Sequence, residues 1–251
     1  MELSCFFQQH PAGALALSGG VDSALLAWAA GRWGQNWRAY FVHTAFQPAH
    51  ELADARTLAD FCGLPLTVLE VDVLADPQVA ANPPRRCYFC KRTLFSAIAA
   101  AAKQDGLSLL ADGTNNSDQV GDRPGMAALA ELGVCSPLRQ CGLTKSDVRR
   151  LSREAGLPTW DKPAYACLAT RIPAGTPLTT ELLEKVEQGE ALLAELGFRD
   201  FRLRLRGSGA LLQVTEPQLS LALEQRREIT ERLAPLFEEV SLDLNARTPS
   251  E

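Results

Sequence analysis

One glycine-rich hexapeptide, Ser18-Gly-Gly-Val-Asp-Ser23, constrains this chain more than any other segment. It follows a short apolar run at residues 12–17 and leads into an apolar stretch of helical length at residues 21–30, which we expect Gly31 to end. The order strand, glycine turn, helix brings backbone N–H groups and the positive end of a helix dipole to one point. This glycine turn (residues 18–23) therefore predicts an anion site, with phosphate as its natural occupant.

The side chains of the glycine turn suit a nucleotide. Gly19 and Gly20 let the backbone approach an anion, and the hydroxyls of Ser18 and Ser23 can donate to phosphate oxygens. The carboxylate of Asp22 needs a cation beside phosphates, for which Mg²⁺ is the natural candidate. No lysine stands where a Walker A loop requires one. The turn resembles instead the PP-loop of ATP pyrophosphatases, which cleave ATP between the α and β phosphates and hold the departing pyrophosphate.

Strand and helix patterns alternate through the first half of the chain, which predicts an α/β fold with a parallel sheet covered by helices on both faces. Ligands of such folds bind at the carboxyl ends of the strands. The expected further strands are 38–44, 66–73 and 108–111, with a short apolar run near Val134, and the expected further helices are 51–61, 90–103, 126–132 and 144–155, the last with Thr144 as N-cap.

The pattern changes after a proline-rich stretch at residues 158–178, which predicts a second, small α+β domain. We place the boundary between residues 1–171 and residues 172–251. The second domain is expected to contain helices 180–196 and 218–233 and strands 201–206, 211–215 and 240–244, with residues 207–209 as a hairpin turn.

Composition narrows the class of protein further. Of 251 residues, 46% are hydrophobic and 22% charged, which is typical of a globular protein. No membrane-span-sized apolar run or basic leader is present, and seven cysteines fit a reducing compartment, so we expect a cytoplasmic protein without a membrane partner. Residues 1–171 carry 16 basic and 16 acidic side chains, against 9 and 14 in residues 172–251. The net charge of −5 therefore lies in the second domain, and it disfavours a nucleic-acid partner.

Cys87 and Cys90 are spaced to bind one metal or cluster, and they lie next to a predicted helix N-terminus and Lys91, which both favour the thiolate. From the residues alone a redox pair, half of a zinc site and part of an iron–sulfur site all remain open, although the lack of a second such pair weakens zinc. The other cysteines except Cys167 stand alone or in apolar segments, and we expect them to be structural: Cys5, Cys62, Cys135 and Cys141.

An ordered series of sequence blocks makes the resemblance specific. Together with the glycine turn and Arg85-Arg-Cys-Tyr-Phe-Cys-Lys91, this series of blocks resembles the LarE family of ATP-dependent sulfur transferases. The resemblance extends from about Ala12 through the small domain. The further blocks are Ala111-Asp-Gly-Thr-Asn115 with Asp118, Asp122-Arg-Pro-Gly125, Ser136-Pro-Leu138, Lys145-Ser-Asp-Val-Arg149, Gly156-Leu-Pro158 and Lys162-Pro-Ala-Tyr-Ala-Cys-Leu-Ala-Thr-Arg-Ile-Pro173.

The resemblance implies an enzyme that adenylates a carboxylate of pyridinium-3,5-biscarboxylic acid mononucleotide with ATP and Mg²⁺ and then converts it to a thiocarboxylate. This is a step toward the nickel-pincer nucleotide cofactor of lactate racemase. One family branch sacrifices the sulfur of a cysteine matching Cys167, whereas the other holds a [4Fe-4S] cluster on cysteines matching Cys87, Cys90 and Cys167. All three cysteines are present here, so we expect the cluster. The resemblance further implies sulfide or another sulfur donor as a partner, and a homo-oligomer of unspecified size.

The resemblance also implies site residues. ATP and pyrophosphate are expected at Ser18, Gly19, Gly20, Asp22, Ser23, Gly113, Thr114 and Arg123, and the substrate at Lys91, Arg171, Arg202 and Arg204.

Arg202 and Arg204 share one face of a strand, where paired arginines contact the nucleotide phosphate in the family. Glu184, Glu187 and Glu190 are interpreted as a solvated helix face, although the family has a functional acid at the position of Glu190. One departure is Gln213, which replaces an acid that the family usually has.

Two alternatives remain open. A PP-loop enzyme that thiolates tRNA shares the loop and in some cases a three-cysteine cluster, and a non-catalytic nucleotide or iron–sulfur binding module would share both features without turnover.

Overall fold

A computed structural model describes residues 2–118 and 124–248. It divides into two compact units. The first comprises the chain up to Thr44 together with residues 49–79 and 85–162, and the second comprises residues 45–48, 80–84 and those from 163 onward. The division after residue 162 precedes the expected boundary at 171/172, and the second unit also takes two short segments from the first half of the chain.

The first unit contains a four-stranded parallel sheet in the order β3-β2-β1-β4, which confirms the predicted α/β fold. Parallel neighbours need crossover connections, and helices supply them here. The strands are β1 (Ala12–Ala16), β2 (Asn36–His43), β3 (Leu66–Glu70) and β4 (Leu110–Ala111). Because β1 is a central strand, the turn that follows its carboxyl end lies where ligands of such sheets bind.

Helices cover both faces of this sheet. Leu15 of β1 packs into one apolar cluster and its neighbour Ala14 into another, since successive strand residues point to opposite faces. Leu25 belongs to the first cluster and Ile98 to the second. The helices up to residue 162 are α1 (Leu3–Gln9), α2 (Val21–Trp33), α3 (His50–Cys62), α4 (Pro77–Ala80), α5 (Arg86–Gln104), α6 (Pro124–Glu131), α7 (Pro137–Gln140) and α8 (Lys145–Glu154).

Two predictions of where a helix begins or ends, at Thr144 and at Gly31, can be compared with the structure. Thr144 caps α8 as predicted and forms a capping box with Asp147. Gly31 does not end α2, which continues to Trp33, so that prediction was wrong. A Cβ at Gly31 would lie 2.0 Å from the Cys62 carbonyl oxygen, so this glycine serves close packing of α2 on the end of α3 rather than helix termination.

The second unit is a small α+β structure, as predicted. Its three-stranded sheet has the order β5-β6-β7, with β5 and β6 antiparallel around Gly207 and β6 and β7 parallel. The predicted helix 218–233 was wrong in one respect: it is broken at Gln225, whose ψ of 10° departs from helical geometry. The elements are α9 (Thr180–Glu195), β5 (Arg202–Arg206), β6 (Gly209–Gln213), α10 (Leu219–Glu224), α11 (Arg226–Leu233) and β7 (Val240–Leu242).

Among the described residues, no helix combines the length and the apolarity needed to cross a membrane.

Gly31→Ala tests the packing of α2 on α3. Glycine to alanine inside a helix ordinarily stabilises by about 1 kcal/mol, but here we expect overpacking against backbone to lower the Tm by about 5 °C. Differential scanning calorimetry measures it, with Arg32→Ala, at the next exposed position, as the near-neutral control. A raised Tm for Gly31→Ala would contradict the close approach.

Candidate active site

The glycine turn closes on itself through Ser23. The Ser23 Oγ accepts a hydrogen bond from the Ser18 amide and donates one to the Gly20 carbonyl, both at 3.1 Å, and its side chain is buried. Gly19 adopts a φ of +73°, which favours glycine. Ser18 is exposed. The Ser18 Oγ lies 3.1 Å from the Ser23 Oγ. Ser23 therefore holds the shape of the turn, while the exposed Ser18 hydroxyl lies where an incoming anion can reach it.

The segment that follows β4 packs against the glycine turn. A Cβ at Gly113 would lie only 2.8 Å from the backbone nitrogen of Ser23, so only glycine allows this approach. The next side chain, Thr114, is buried and donates to Asp112 Oδ2 at 2.5 Å, and Ser136 donates to Asp112 Oδ1 at 2.6 Å. Gly113 thus joins the predicted nucleotide residues of the turn, whereas the Thr114 hydroxyl is committed to Asp112.

Asp22, in the first turn of α2, has two partners from outside the turn. Asn115 Nδ2 donates to Asp22 Oδ1 at 2.9 Å, and the Lys145 ammonium donates to Oδ2 at 2.5 Å. Both members of the Lys145–Asp22 ion pair are mostly buried, with side-chain exposures of 19% and 23%. A carboxylate beside an anion site is therefore neutralised by a cation that α8 supplies.

The Lys145 backbone is fixed as well. Its N–H donates to Ser117 Oγ at 3.0 Å, and Ser117 N–H donates to Asn115 Oδ1 at 2.7 Å. Arg139 donates to the Asp118 carbonyl. The segment after β4 and the start of α8 consequently form one hydrogen-bonded layer around Asp22.

Cys87 and Cys90 lie in the first two turns of α5, which begins four residues earlier than expected because Arg86 is its first residue. Cys87 rather than Cys90 therefore sits at the helix N-terminus, where the dipole favours a thiolate most. The Arg86 guanidinium lies 3.8 Å from the Cys87 sulfur. The i, i+3 spacing places both thiols on one side of the helix, which suits two ligands of a cluster.

Within the part of the chain that the structure describes, no three His, Cys, Asp or Glu side chains are grouped as a metal ion requires. The assignment of Cys87, Cys90 and Cys167 to an iron–sulfur cluster stays a prediction. Burial raises the pKa of the Cys62 thiol to about 11 and raises the pKa of Cys135 and Cys141, as expected for structural cysteines.

In the second unit Glu190 is the centre of a buried ion pair. Its carboxylate accepts two hydrogen bonds from Arg171, at 2.7 and 3.1 Å, one from the Tyr165 hydroxyl at 2.8 Å, and one from the Leu203 amide at 3.0 Å. The interpretation of Glu190 as part of a solvated face was wrong, because only 7% of it is exposed. Helical periodicity alone did not distinguish it from Glu184, which is exposed.

Arg171, one of the predicted substrate ligands, is fully buried and directs its donors at protein groups. Besides Glu190 it donates to the Ala166 carbonyl and the Thr170 hydroxyl, each at 2.8 Å, and its guanidinium stacks 4.7 Å from the centre of the Tyr165 ring. These contacts hold the backbone on either side of Cys167. Its role as a substrate ligand stays a prediction.

Arg202 and Arg204 form an arginine cluster with Arg171 and Arg247. Burial, followed by repulsion from Arg171 and Arg247, lowers the pKa of Arg202 to about 10, and the same causes lower the pKa of Arg204. Arg202 donates to the Ala164 carbonyl at 2.9 Å, and Arg204 to the Thr170 carbonyl at 2.9 Å. The Asp200 carboxylate, 3.9 Å from Arg202 and 3.2 Å from Arg247, offsets part of this repulsion. An anion placed against the exposed Arg204 would offset more of it.

Gln213 partners this cluster. Its Oε1 accepts from Arg204 Nε at 2.6 Å, and its Nε2 donates to Asp243 Oδ2 at 2.8 Å. In place of the family's acid, a neutral amide orients Arg204 and leaves the cluster more positive.

Three residues of the site escaped the residue-by-residue predictions. The three are Asn115, Lys145 and Lys162, and each belongs to one of the sequence blocks that carry the family resemblance. The blocks could therefore have indicated them, but their partners Asp22 and Gly19 are distant in sequence.

Two predicted ligands remain. Lys91 lies with its aliphatic stem against Gly125. Arg123 lies outside the described residues.

No family model matches the chain. It is 37% identical to an uncharacterized protein of Synechocystis over 85% of this chain and 80% of that protein. It is 31% identical to the pyridinium-3,5-bisthiocarboxylic acid mononucleotide synthase of Lactiplantibacillus plantarum over 92% of this chain and 84% of the synthase. The tRNA-specific 2-thiouridylase MnmA of Azorhizobium caulinodans is 30% identical over 70% of this chain but only 55% of its own length.

The likeness to the synthase extends over most of both proteins, and the parallel sheet with its glycine turn is the fold that the sequence blocks imply. The chain therefore belongs to the LarE family of PP-loop sulfur transferases.

Proposed function

We propose that this enzyme uses ATP to convert a carboxylate of pyridinium-3,5-biscarboxylic acid mononucleotide into a thiocarboxylate, in the biosynthesis of the nickel-pincer nucleotide cofactor. The observation that carries the proposal is the glycine turn at the N-terminus of α2, packed on Gly113 and tied through Asp22 to Lys145. The L. plantarum relative is a pyridinium-3,5-bisthiocarboxylic acid mononucleotide synthase, and the substrate class is inferred from it.

The chemistry has two balanced steps. A substrate carboxylate oxygen attacks the α-phosphorus of ATP, the bond between that phosphorus and the α–β bridging oxygen breaks, and pyrophosphate leaves with the electron pair. Sulfide then attacks the acyl carbon of the adenylate, and AMP leaves with the electrons of the acyl–oxygen bond. The first step creates a good leaving group for the second.

The first unit is suited to the adenylation step. The exposed Ser18 hydroxyl and the backbone amides at the start of α2 can hold pyrophosphate as its charge develops. Lys145 neutralises Asp22, which would otherwise repel phosphate. Asp22 also fits Mg²⁺, because each carboxylate oxygen keeps a lone pair after its one protein hydrogen bond.

The second unit is suited to the substrate's anionic groups. Arg204 is exposed and is oriented by Gln213 and the Thr170 carbonyl. A phosphate placed against Arg202 and Arg204 would relieve the repulsion within the arginine cluster. Glu190 holds Arg171 and Tyr165 in place beside it.

Cys87, Cys90 and Cys167 are the residues that would hold the [4Fe-4S] cluster, and they are the proposed catalytic cysteines. With three thiolate ligands, one iron keeps an open position, so the group would supply a place to bind sulfide. The chain's own contribution is to hold Cys167 between backbone groups fixed by Arg171 and to place Cys87 at a helix N-terminus. Homo-oligomerisation and a cytoplasmic location stay predictions.

A tRNA-thiolating enzyme is the second candidate, since the chain also resembles a 2-thiouridylase. Pyrophosphate release from ATP by the anaerobically purified protein separates the candidates. We expect release to depend on the pyridinium mononucleotide and to be unaffected by tRNA. Release that depends on tRNA would favour the second candidate, and no release with either would indicate a binding module.

Asp22→Asn should lower substrate-dependent pyrophosphate release by about 100-fold. The amide is not an anionic ligand for Mg²⁺, and it must turn its NH₂ toward one of the two donors that now contact Asp22, Asn115 or Lys145. The matched control is Asp60→Asn, which changes an exposed acid of α3 and should leave the rate within twofold. Wild-type rates in Asp22→Asn would remove Asp22 from the site.

Cys87→Ala should lose the bound iron, because a cubane cannot be held stably by two thiolates. Iron and sulfide analysis after anaerobic purification measures this, and Cys141→Ala is the control with a structural thiol. Retention of iron in Cys87→Ala contradicts the ligand assignment.

Arg204→Lys should raise the KM for the pyridinium mononucleotide by about tenfold, since an ammonium cannot make a bidentate contact to phosphate. Arg206→Lys, one pleat further along β5 and also exposed, is the matched control and should leave the KM unchanged. Steady-state kinetics at saturating ATP measures both, and equal effects of the two variants would show that Arg204 makes no specific bidentate contact with the substrate.

A further inference from the structure

Lys162 contacts the glycine turn from outside, and none of the roles described so far uses it. Its ammonium donates to the Gly19 carbonyl at 3.3 Å and to Asp54 Oδ2 at 2.9 Å, and its side chain is 27% exposed. It lies far from Gly19 in sequence but within the same unit. The contact is to a backbone oxygen of the turn rather than to any group that binds phosphate.

The peptide that carries the Gly19 carbonyl joins two glycines, so no side chain at either residue restricts its rotation. The Gly19 φ of +73° lies in a region that glycine adopts as readily as the ordinary one, and a Cβ there would meet nothing within 4 Å. Because a trans peptide is planar, its carbonyl and the next N–H point in opposite directions. Directing the Gly19 carbonyl at Lys162 therefore directs the Gly20 N–H away from Lys162, and Gly20 is the N-cap of α2.

We propose that Lys162 is a positioning residue, which holds the Gly19 peptide in the one orientation that presents the Gly20 amide to the phosphates of ATP. A Walker A loop places its lysine within the loop and on the phosphates. In this chain a lysine from beyond α8 acts on the loop's backbone instead. This inference rests on the proposed function, because it assumes that the glycine turn binds the phosphates.

Two acids of α3 act on Lys162. Asp54 pairs with the ammonium directly, and Glu51 interacts with both charges. Burial raises the pKa of Glu51 to about 7, with Lys162 opposing and Asp54 adding to the rise. As the pH falls below this value, Glu51 becomes increasingly neutral and leaves Lys162 to Gly19 and Asp54; as the pH rises above it, the growing carboxylate population competes for the ammonium.

The test compares Lys162→Met and Lys162→Arg with the wild-type protein. Loss of the contact lets the Gly19 peptide rotate, and a binding-competent fraction of about one tenth raises the apparent Kd about tenfold. We therefore expect Lys162→Met to raise the pyrophosphate Kd in isothermal titration calorimetry and the ATP KM by about tenfold, with kcat at saturating ATP within about threefold of wild type. Arginine can still donate to the carbonyl, so Lys162→Arg should largely restore binding. Lys103→Met removes an exposed lysine from the last turn of α5 and is the control for loss of one surface charge.

The pH dependence supplies a readout that a purely structural role would not move. The ratio of the ATP KM of the wild-type protein to that of Glu51→Gln should be near one at pH 6 and should rise between pH 6.5 and pH 8, since only the wild type acquires the competing carboxylate.

Each outcome decides the inference. Unchanged Kd and KM in Lys162→Met overturn it, and so does a fall in kcat at unchanged KM, which would mean that Lys162 acts on the reacting phosphates themselves. If Lys162→Met does not fold, Lys162→Ala, which places no apolar group against Asp54, decides in its place: unchanged Kd and KM in that variant overturn the proposal. A wild-type protein that neither binds pyrophosphate nor releases it would instead refute the proposed function.

Discussion

The site depends on the close approach of two loops at the carboxyl end of the parallel sheet. The glycine turn after β1 and the segment after β4 meet where a Cβ at Gly113 would be 2.8 Å from the Ser23 nitrogen. Packing at this distance lets Asn115 reach Asp22 and brings the start of α8, with Lys145, against the same carboxylate. Without that approach, the amides at the start of α2 would still form an anion site, but Asp22 would face it as an uncompensated negative charge.

Charge in this protein is organised locally rather than in bulk. The excess of acidic residues lies in residues 172–251, yet three of the four arginines of the arginine cluster belong to the same part of the chain. Burial, followed by repulsion from Arg171 and Arg247, lowers the pKa of Arg202 and Arg204. Glu190 makes the cluster possible, because its buried carboxylate pairs with Arg171 and accepts the Leu203 amide. A net charge therefore says little about which anion a protein binds when guanidinium groups are held together by buried partners.

Much of the fold could be predicted from periodicity and turn chemistry. The four strands of the parallel sheet, Thr144 as the cap of α8 and the hairpin turn at Gly207 all follow from local residue patterns. The failures have a common cause. Gly31 looked like a helix stop because its contact with the Cys62 carbonyl cannot be seen in the local sequence, and Glu190 looked solvated because its partners Arg171 and Tyr165 lie 19 and 25 residues away.

By itself the sequence determined the glycine turn, the α/β class and the family, because these depend on short segments whose residue types and order set the local structure. Only the tertiary structure decided which side chains complete the site. Lys145 and Lys162 lie 123 and 143 residues from the turn atoms they contact, and their roles arise from how the strands and helices bring distant charges together. A lysine in a sequence shows a charge, whereas its partner, and hence its function, is set by packing.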